Sequence, residues 1–377
     1  IHVRISLNVL HYKIHFFVPT VNSPSGGMGV LLKMAHDLKN FGLDVEIWYQ
    51  PRFDQQASFQ ESTKQKKRID LFDDFNPSWL DFDISNIKKN AVGDQKVLFK
   101  NGTEVDAGPI KLAPEDIIII PEGFPNIMQA VQKVVCKKIV LAQSWLYVLS
   151  GLQVGETWQS LGIYDVISVS DAITEYLNTV MPGLRIKELK QGINRQIFKV
   201  PEKRSHKKPL IGYMSGRDQM STMKIMNMIK MFYAVNPHLR WIKFVELNNL
   251  SKDEFAERLK ECAFALYTDD IAGFGTLPLE AMACGTHVVG WASYGGKEYI
   301  NNENGFWAMN GDTFQVVELL TVAVEKWVTG EIDDQASSIQ EKYEETLKNY
   351  TYENQSNQII QIIEQTKIER INELNHA

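Results

Sequence analysis

The chain has 377 residues, more than a single hydrophobic core usually organises, so two domains are expected. Hydrophobic residues at 44% and charged residues at 23% are ordinary for a globular protein, and a net charge of -6 gives no global attraction to nucleic acid or anionic membranes. No apolar run reaches the length of a bilayer span, which leaves membrane association peripheral at most, and IHVRISLNVLHYK has no signal-peptide pattern.

Cys136, Cys262 and Cys284 lie far apart without metal-type spacing, which argues against a disulfide or zinc framework and for a reducing, cytoplasmic setting. The first expected strand is KIHFFVPT, Lys13–Thr20. It leads through the loop VNSPSGGMG into VLLKMAHDLKNFG, where Val30, Leu31, Met34, Ala35 and Leu38 recur at helical spacing. Gly42 stops that helix, and DVEIWY is the next strand. Strand, glycine loop, helix, strand is a βαβ unit, which implies a parallel sheet buried on both faces. Residues 51–114 are polar, charge-mixed and weakly periodic, and read as an insertion. EDIIIIPEG and KKIVLAQS are buried strands, and YDVISVSDAITEYLNTV reads as strand, Ser/Asp cap and helix. These elements make a first domain over residues 1–200.

KVPEKRSHKKP, Lys199–Pro209, is basic and proline-bounded, and is the best linker candidate. A second alternation follows: LIGYMSG, RWIKFVEL, FALYT and THVVGW as strands, with STMKIMNMIKMFYAV, SKDEFAERLKECA and LPLEAMACG as helices. The second domain takes residues 201–345, and the tail from about Gly330 closes in amphipathic helices, the last over 346–377. The expected fold is α/β, with two doubly wound Rossmann-like parallel-sheet domains facing across a cleft. Such sheets bind ligands at their carboxyl strand ends.

The stretch AGFGTLPLEAMACG, Ala272–Gly285, carries the clearest chemistry. Gly273, Phe274, Gly275, Thr276 and Leu277 form a loop that lets backbone N–H groups approach a ligand. Pro278 suits a first helical turn, and a helix start there favours phosphate. Glu280, one turn in, can accept from hydroxyls such as a ribose diol. The competing reading is a glycine-rich turn before a core helix whose glutamate suits the dipole.

In SGRDQMSTMK, Arg217 and Lys224 could meet two oxygens of a diphosphate, or could simply be solvated cations. SPSGGMG places Gly26 and Gly27 at a helix mouth. It is not a GxGxxG, because Leu32 stands where the third glycine belongs, so a nicotinamide cofactor is poorly supported. Gln143 and Glu122 fall just past strand ends, and Glu298 follows two glycines, so each is a candidate contact. The histidines have no metal spacing, and His287 heads a buried strand as a structural residue. The methionine-rich helix, Met220 to Met231, reads as core.

Taken together these residues resemble a GT-B fold glycosyltransferase of the GT4-like (group 1) family. The resemblance covers nearly the whole chain. It rests on HFFVPTVNSPSGGMGVLLKMAHDLKNFG, VISVSDAITEYL, LKQGINRQIF, SGRDQMSTMK and above all GFGTLPLEAMACGTHVVGW. It implies a retaining, metal-independent transfer from a nucleotide-diphosphate sugar, with no cofactor beyond that donor. The second domain would bind the donor, and the first the acceptor, a glycan, lipid-linked or other hydroxyl compound. The last helix would cross back onto the first domain.

By the same resemblance Glu280 holds the ribose, and Arg217 and Lys224 the diphosphate. Phe274 to Leu277 contact donor sugar and phosphates, and Gly26 and Gly27 approach the diphosphate. Two positions depart from the pattern. The family's first glutamate falls at Ala272, with Asp269 and Asp270 nearby as substitutes, and the family's cleft histidine falls near Gln143. They motivate one competing reading, a GT-B protein that binds a nucleotide-sugar or glycan without transfer; another GT-B activity, such as a sugar-nucleotide epimerase, is a second.

Overall fold

A computed structural model describes residues 11–19, 25–50, 68–69, 76–93, 96–98, 104–201, 207–216, 218–291 and 293–376. Arg217, the start of the first glycine loop, much of the 51–114 insertion and the centre of the linker fall outside those residues. The chain divides into two compact units. Unit 1 is Ile1–Ser168, Tyr176–Leu189 and Ser356–Ala377, and unit 2 is Val169–Glu175 and Lys190–Gln355.

The strands of unit 1 are β1 (Ile14–Pro19), β2 (Val45–Gln50), β3 (Arg68–Ile69), β4 (Lys88–Val92), β5 (Val97–Leu98), β6 (Glu104–Val105), β7 (Ala107–Gly108), β8 (Ile117–Pro121), β9 (Lys137–Ala142), β10 (Asp165–Ser168) and β11 (Arg185–Glu188). Its helices are α1 (Gly26–Asn40), α2 (Pro125–Val131) and α3 (Trp145–Val148), and α4 (Asp171–Val180) carries the second boundary between units, at Glu175/Tyr176. Eight strands form one sheet in the order β11-β10-β9-β8-β1-β2-β4-β7, every pairing parallel. The insertion therefore supplies the last two strands at one end of the main sheet, β4 and the edge strand β7, as well as the small sheet β3-β5-β6.

Burial explains the apolar runs. The isoleucines of β8 are fully buried, as expected for a parallel strand covered on both faces. α1 turns Met28, Leu31, Leu32, Met34, Ala35 and Leu38 inward and stops at Gly42, whose φ of +96° suits a residue without Cβ.

Unit 2 contains α5 (Gln219–Val235), α6 (Lys252–Glu261), α7 (Leu277–Ala283), α8 (Thr313–Val328), α9 (Glu331–Asp334), α10 (Ala336–Leu347) and the start of α11 (Tyr352–His376). Its strands are β12 (Lys208–Tyr213), β13 (Lys243–Glu246), β14 (Cys262–Tyr267), β15 (His287–Trp291) and β16 (Phe306–Ala308), in the all-parallel order β13-β12-β14-β15-β16. Ile225, Met228, Ile229 and Phe232 of α5 pack with Phe264, Val289, Val317 and Leu320 in its core.

The methionine-rich helix is only partly core. Met220, Met223 and Met226 are 63%, 51% and 39% exposed, because their three-residue spacing falls outside the buried stripe. Lys207, within the basic linker stretch, is half-buried and donates to Thr286 Oγ1 at 2.6 Å and Cys284 O at 3.0 Å. Burial lowers its ammonium to about 8.

The remainder of α11, from Ser356 on, belongs to unit 1. There Glu373 meets Lys137 at 2.9 Å, Glu369 meets Lys187 at 3.0 Å, and the Arg370 guanidinium donates to Pro114 O. No helix among the described residues is long and apolar enough to cross a membrane.

Candidate functional site

A doubly wound sheet opens a crevice where successive strands depart to opposite sides. In unit 2 that point lies between β12 and β14, since β13 flanks β12 on the far side. The loop after β14 therefore lies beside the crevice, and it is the glycine loop singled out in the sequence.

The loop is fixed from beneath. Asp269 Oδ1 accepts from the backbone N–H groups of Ile271 and Ala272, both at 3.1 Å. Gly295 N–H donates to Ala272 O at 3.2 Å, and Ser170 Oγ donates to Gly273 O at 2.5 Å. The Tyr299 hydroxyl donates to Gly275 O, with Phe274 O 3.3 Å away. Phe274, Tyr299 and Tyr350 pack with ring centroids 5.3–5.6 Å apart. Gly275 has a φ of +81°, and a Cβ there would lie 2.0 Å from Tyr267 Oη.

The carbonyls of Ala272 to Gly275 are thus occupied. Within the described residues, no hydrogen bond takes up the N–H groups of Phe274, Gly275 or Thr276. A segment with anchored acceptors and open donors is suited to an anion. α7 itself is seven residues long, so its dipole adds less than the helix start expected from the sequence.

Glu280 sits in the first turn of α7 and is 4% exposed. Its Oε1 lies 2.5 Å from Lys252 Nζ, the first residue of α6. Ser251 and Glu254 form a capping box that fixes the start of α6, and Lys252 lies 5.5 Å over the Phe198 ring. The pair leaves lone pairs on the glutamate for further donors. Sequence reasoning did not find Lys252. The available signal was the SKDE capping pattern, with a cation at a helix start where cations are disfavoured.

Other predicted residues make no direct bond to Glu280 among the described residues. Lys224 is exposed on α5, and no hydrogen bond or ion pair joins it to the Phe274–Glu280 segment among the described residues. Asp218 N-caps that helix by accepting from Ser221 N–H at 2.7 Å. Asp270 is exposed while Ala272 is buried, and Asp269 is committed to its own turn. Glu298 is a structural knot: its carboxylate takes Lys190 at 3.2 Å, Asp171 N–H at 2.9 Å and the Tyr350 hydroxyl at 3.3 Å. Burial raises its carboxyl despite these partners. His287 bonds the Tyr343 hydroxyl at 2.8 Å, a structural contact.

Unit 1 gathers a second set at its own crevice, between β1 and β8. Gly26 and Gly27 open α1 after β1, Glu122 follows β8 and Gln143 follows β9. Gln143 Nε2 donates to Gly27 O at 3.1 Å. A Cβ on Gly27 would stand 3.4 Å from that nitrogen, so glycine suits the contact. Glu122 is 7% exposed, and burial pushes its carboxyl up to about 7, although backbone donors at Gln143 and Ser144 oppose the shift. Glu122 Oε2 and Gln143 Oε1 are both buried without a hydrogen-bond partner. Among the described residues no group of three His, Cys, Asp or Glu side chains is placed to hold a metal ion.

These two sheets, with their crevice loops, define a GT-B fold. The chain aligns over 94% of its length with 98% of sucrose-phosphate synthase from Thermosynechococcus elongatus, at a TM-score of 0.62 and 12% identity. Anabaena HepE, solved with UDP and glucose, aligns over 94% of this chain and 99% of its own at a TM-score of 0.60 and 13% identity. The pneumococcal O-GlcNAc transferase GtfA, solved with UDP and GlcNAc, gives 0.60 over 96% and 99% at 10% identity.

Within this fold, residues 232–346 match the family described as Glycosyl transferases group 1. The match includes Lys252, the glycine loop and Glu280. A curated relative, an alpha-1,6-glucosyltransferase of Actinobacillus pleuropneumoniae serotype 7, is 27% identical over 105 residues. That alignment covers 27% of this chain and 32% of the relative, so it spans about a third of the relative's length.

Proposed function

We propose that the protein transfers a sugar from a nucleoside-diphosphate sugar to a hydroxyl of a glycan or glycoconjugate acceptor, lipid-linked acceptors included. The transfer retains the anomeric configuration and needs no metal ion. The observation that carries this reading is the loop after β14, whose open N–H groups lie one turn before a buried, cation-held carboxylate. A diphosphate accepts from the former and a ribose diol donates to the latter. The UDP in the HepE and GtfA structures favours uridine as the base.

In the proposed step the acceptor oxygen bonds to the anomeric carbon as the bond from that carbon to the diphosphate breaks. The acceptor proton passes to the departing phosphate oxygen, so no protein base is required. Negative charge grows on the diphosphate, and prearranged donors there lower the barrier. The N–H groups of Phe274, Gly275 and Thr276, with Arg217 and Lys224, supply that stabilisation. Glu280 positions the nucleoside.

The test is incubation of the protein with UDP-, GDP-, ADP- and TDP-sugars in EDTA, with anomeric configuration read by NMR. UDP-sugar consumption is expected, with Arg217→Ala and Lys224→Ala lowering turnover more than donor affinity. Failure to bind or consume any nucleotide-sugar refutes the reading. Ala272 and Gln143 favour one rival, a protein that binds such a sugar without transferring it; binding without any consumption, even to water, supports that rival.

A further inference from the structure

Unit 2 carries an open cavity of about 320 Å³ that shares no wall residue with the glycine loop or with Glu280. Its size falls at the lower end of small-molecule sites, roughly 300–1,000 Å³. One wall is the end of α10 and the turn that follows it, and the other is the segment after Gly295 and Gly296. The floor is braced. Tyr299 and Tyr350 are buried with ring centroids 5.6 Å apart, and the Tyr350 hydroxyl donates at 3.3 Å to Glu298, whose side chain is 5% exposed.

The remaining lining groups are exposed and uncommitted. The Asn301 amide nitrogen, the Glu345 carboxylate, the Lys348 ammonium and the Asn349 amide take part in no hydrogen bond or ion pair among the described residues. Beside them Lys342 meets Glu303 at 3.2 Å.

This lining discriminates between ligand classes. Three carboxylates and two ammonium groups share the wall, so a compact anion or a cation would meet its own sign as well as its opposite. The wall holds no aliphatic side chain beyond Thr346, so an apolar ligand gains little by entering. A sugar hydroxyl both donates and accepts, and adjacent hydroxyls meet a carboxylate and an amide or ammonium together. We propose that this cavity binds a neutral saccharide, with Glu345 accepting from its hydroxyls and Asn301, Lys348 and Asn349 donating to them. The saccharide is a free sugar or a stretch of a longer glycan, and the latter would be tethered at a point other than its reacting end. The site goes beyond the transferase reading and does not depend on it.

The experiment is saturation-transfer NMR on the full chain, with and without excess UDP. The probes are the methyl α-D-pyranosides of glucose, galactose and mannose, and maltotriose. The double variant Glu345→Ala/Lys348→Ala removes an acceptor and a donor that hold nothing else in place, and thermal melting checks that it folds as the wild type does. A saccharide signal that persists with UDP and falls about fivefold or more in the double variant is the expected result. Signal from the monosaccharides shows that a free sugar suffices, whereas signal from maltotriose alone assigns the cavity to a stretch of glycan. Absence of signal from every probe in the wild type overturns the site. So does a signal that the double variant keeps in full, or one that UDP abolishes, since the sugar then sits elsewhere. UDP affinity, measured separately by calorimetry, bears on the transferase reading alone.

Discussion

Replacing Lys252 by methionine tests whether the ion pair orients Glu280. Methionine retains an apolar stem near Phe198 and Phe255 and removes only the ammonium. At the observed separation of 2.5 Å, two unit charges attract by roughly 7 kcal/mol at an effective dielectric of 20. Most of that is offset by desolvating a carboxylate whose side chain is 5% exposed, and water screens Lys252, whose side chain is 35% exposed. The net cost of leaving Glu280 unpaired is about 2 kcal/mol. In a unit of this size that lowers the melting transition by about 4–8 °C.

Scanning calorimetry on Lys252→Met, Glu280→Gln and the double variant measures the loss. The double variant should cost less than the sum, with a coupling of about 1–2 kcal/mol. Glu280→Gln should also weaken UDP binding by about tenfold or more, the value of charge-assisted bonds to hydroxyls. A Lys252→Met protein that melts and binds UDP as the wild type does would refute the reasoning.

The glycine loop offers a cleaner steric test. A Cβ on Gly295 would lie 1.7 Å from Gly273 O, a backbone atom that no rotamer can move. Gly295→Ala should therefore cost about 3 kcal/mol in unfolding experiments and reduce UDP affinity, whereas Gly26→Ala, with nothing within 4 Å, should be tolerated. Glu122 gives a pH test. Its folded value is raised from 4.5 to about 7, so the folded state binds more protons across that window. Its contribution is full below 4.5 and is lost as pH rises through 7, a change of about 3 kcal/mol. Urea unfolding at pH 5 and pH 8 should show that difference in the wild type relative to Glu122→Gln, and equal slopes for the two proteins would contradict it.

The alternation of strand and helix was legible because parallel strands buried on both faces are written as uninterrupted apolar runs, as in IIII of β8. The GT-B assignment followed from GFGTLPLEAMACG, and the structure puts that loop at the strand-order reversal where such a ligand site belongs. Other features were not legible, for identifiable reasons. β4 carries mixed polarity because it lies toward the sheet edge, and β7 is only two residues long, so no period announces them. Lys207 stands in a run of basic residues, and nothing local says which one reaches the carbonyls of Leu259 and Cys284. Lys252 meets Glu280 across 28 residues, a pairing set by the packing of α6 and α7.

Glu298 shows the converse error. It was singled out because two glycines precede it, yet those glycines serve the loop, Gly295 by passing within reach of Gly273 O. The glutamate is consumed by Lys190, Asp171 and Tyr350. Its role is to brace the segment that carries Tyr299, and Tyr299 in turn holds the carbonyls of Phe274 and Gly275. The same bracing bears on Ala272. The peptide groups on both sides of that residue are bonded, to Asp269 and to Gly295, and its methyl is buried. A glutamate there would begin from a fixed, enclosed backbone position. The departure at 272 from the pattern that the sequence resembles is therefore matched by the packing around it.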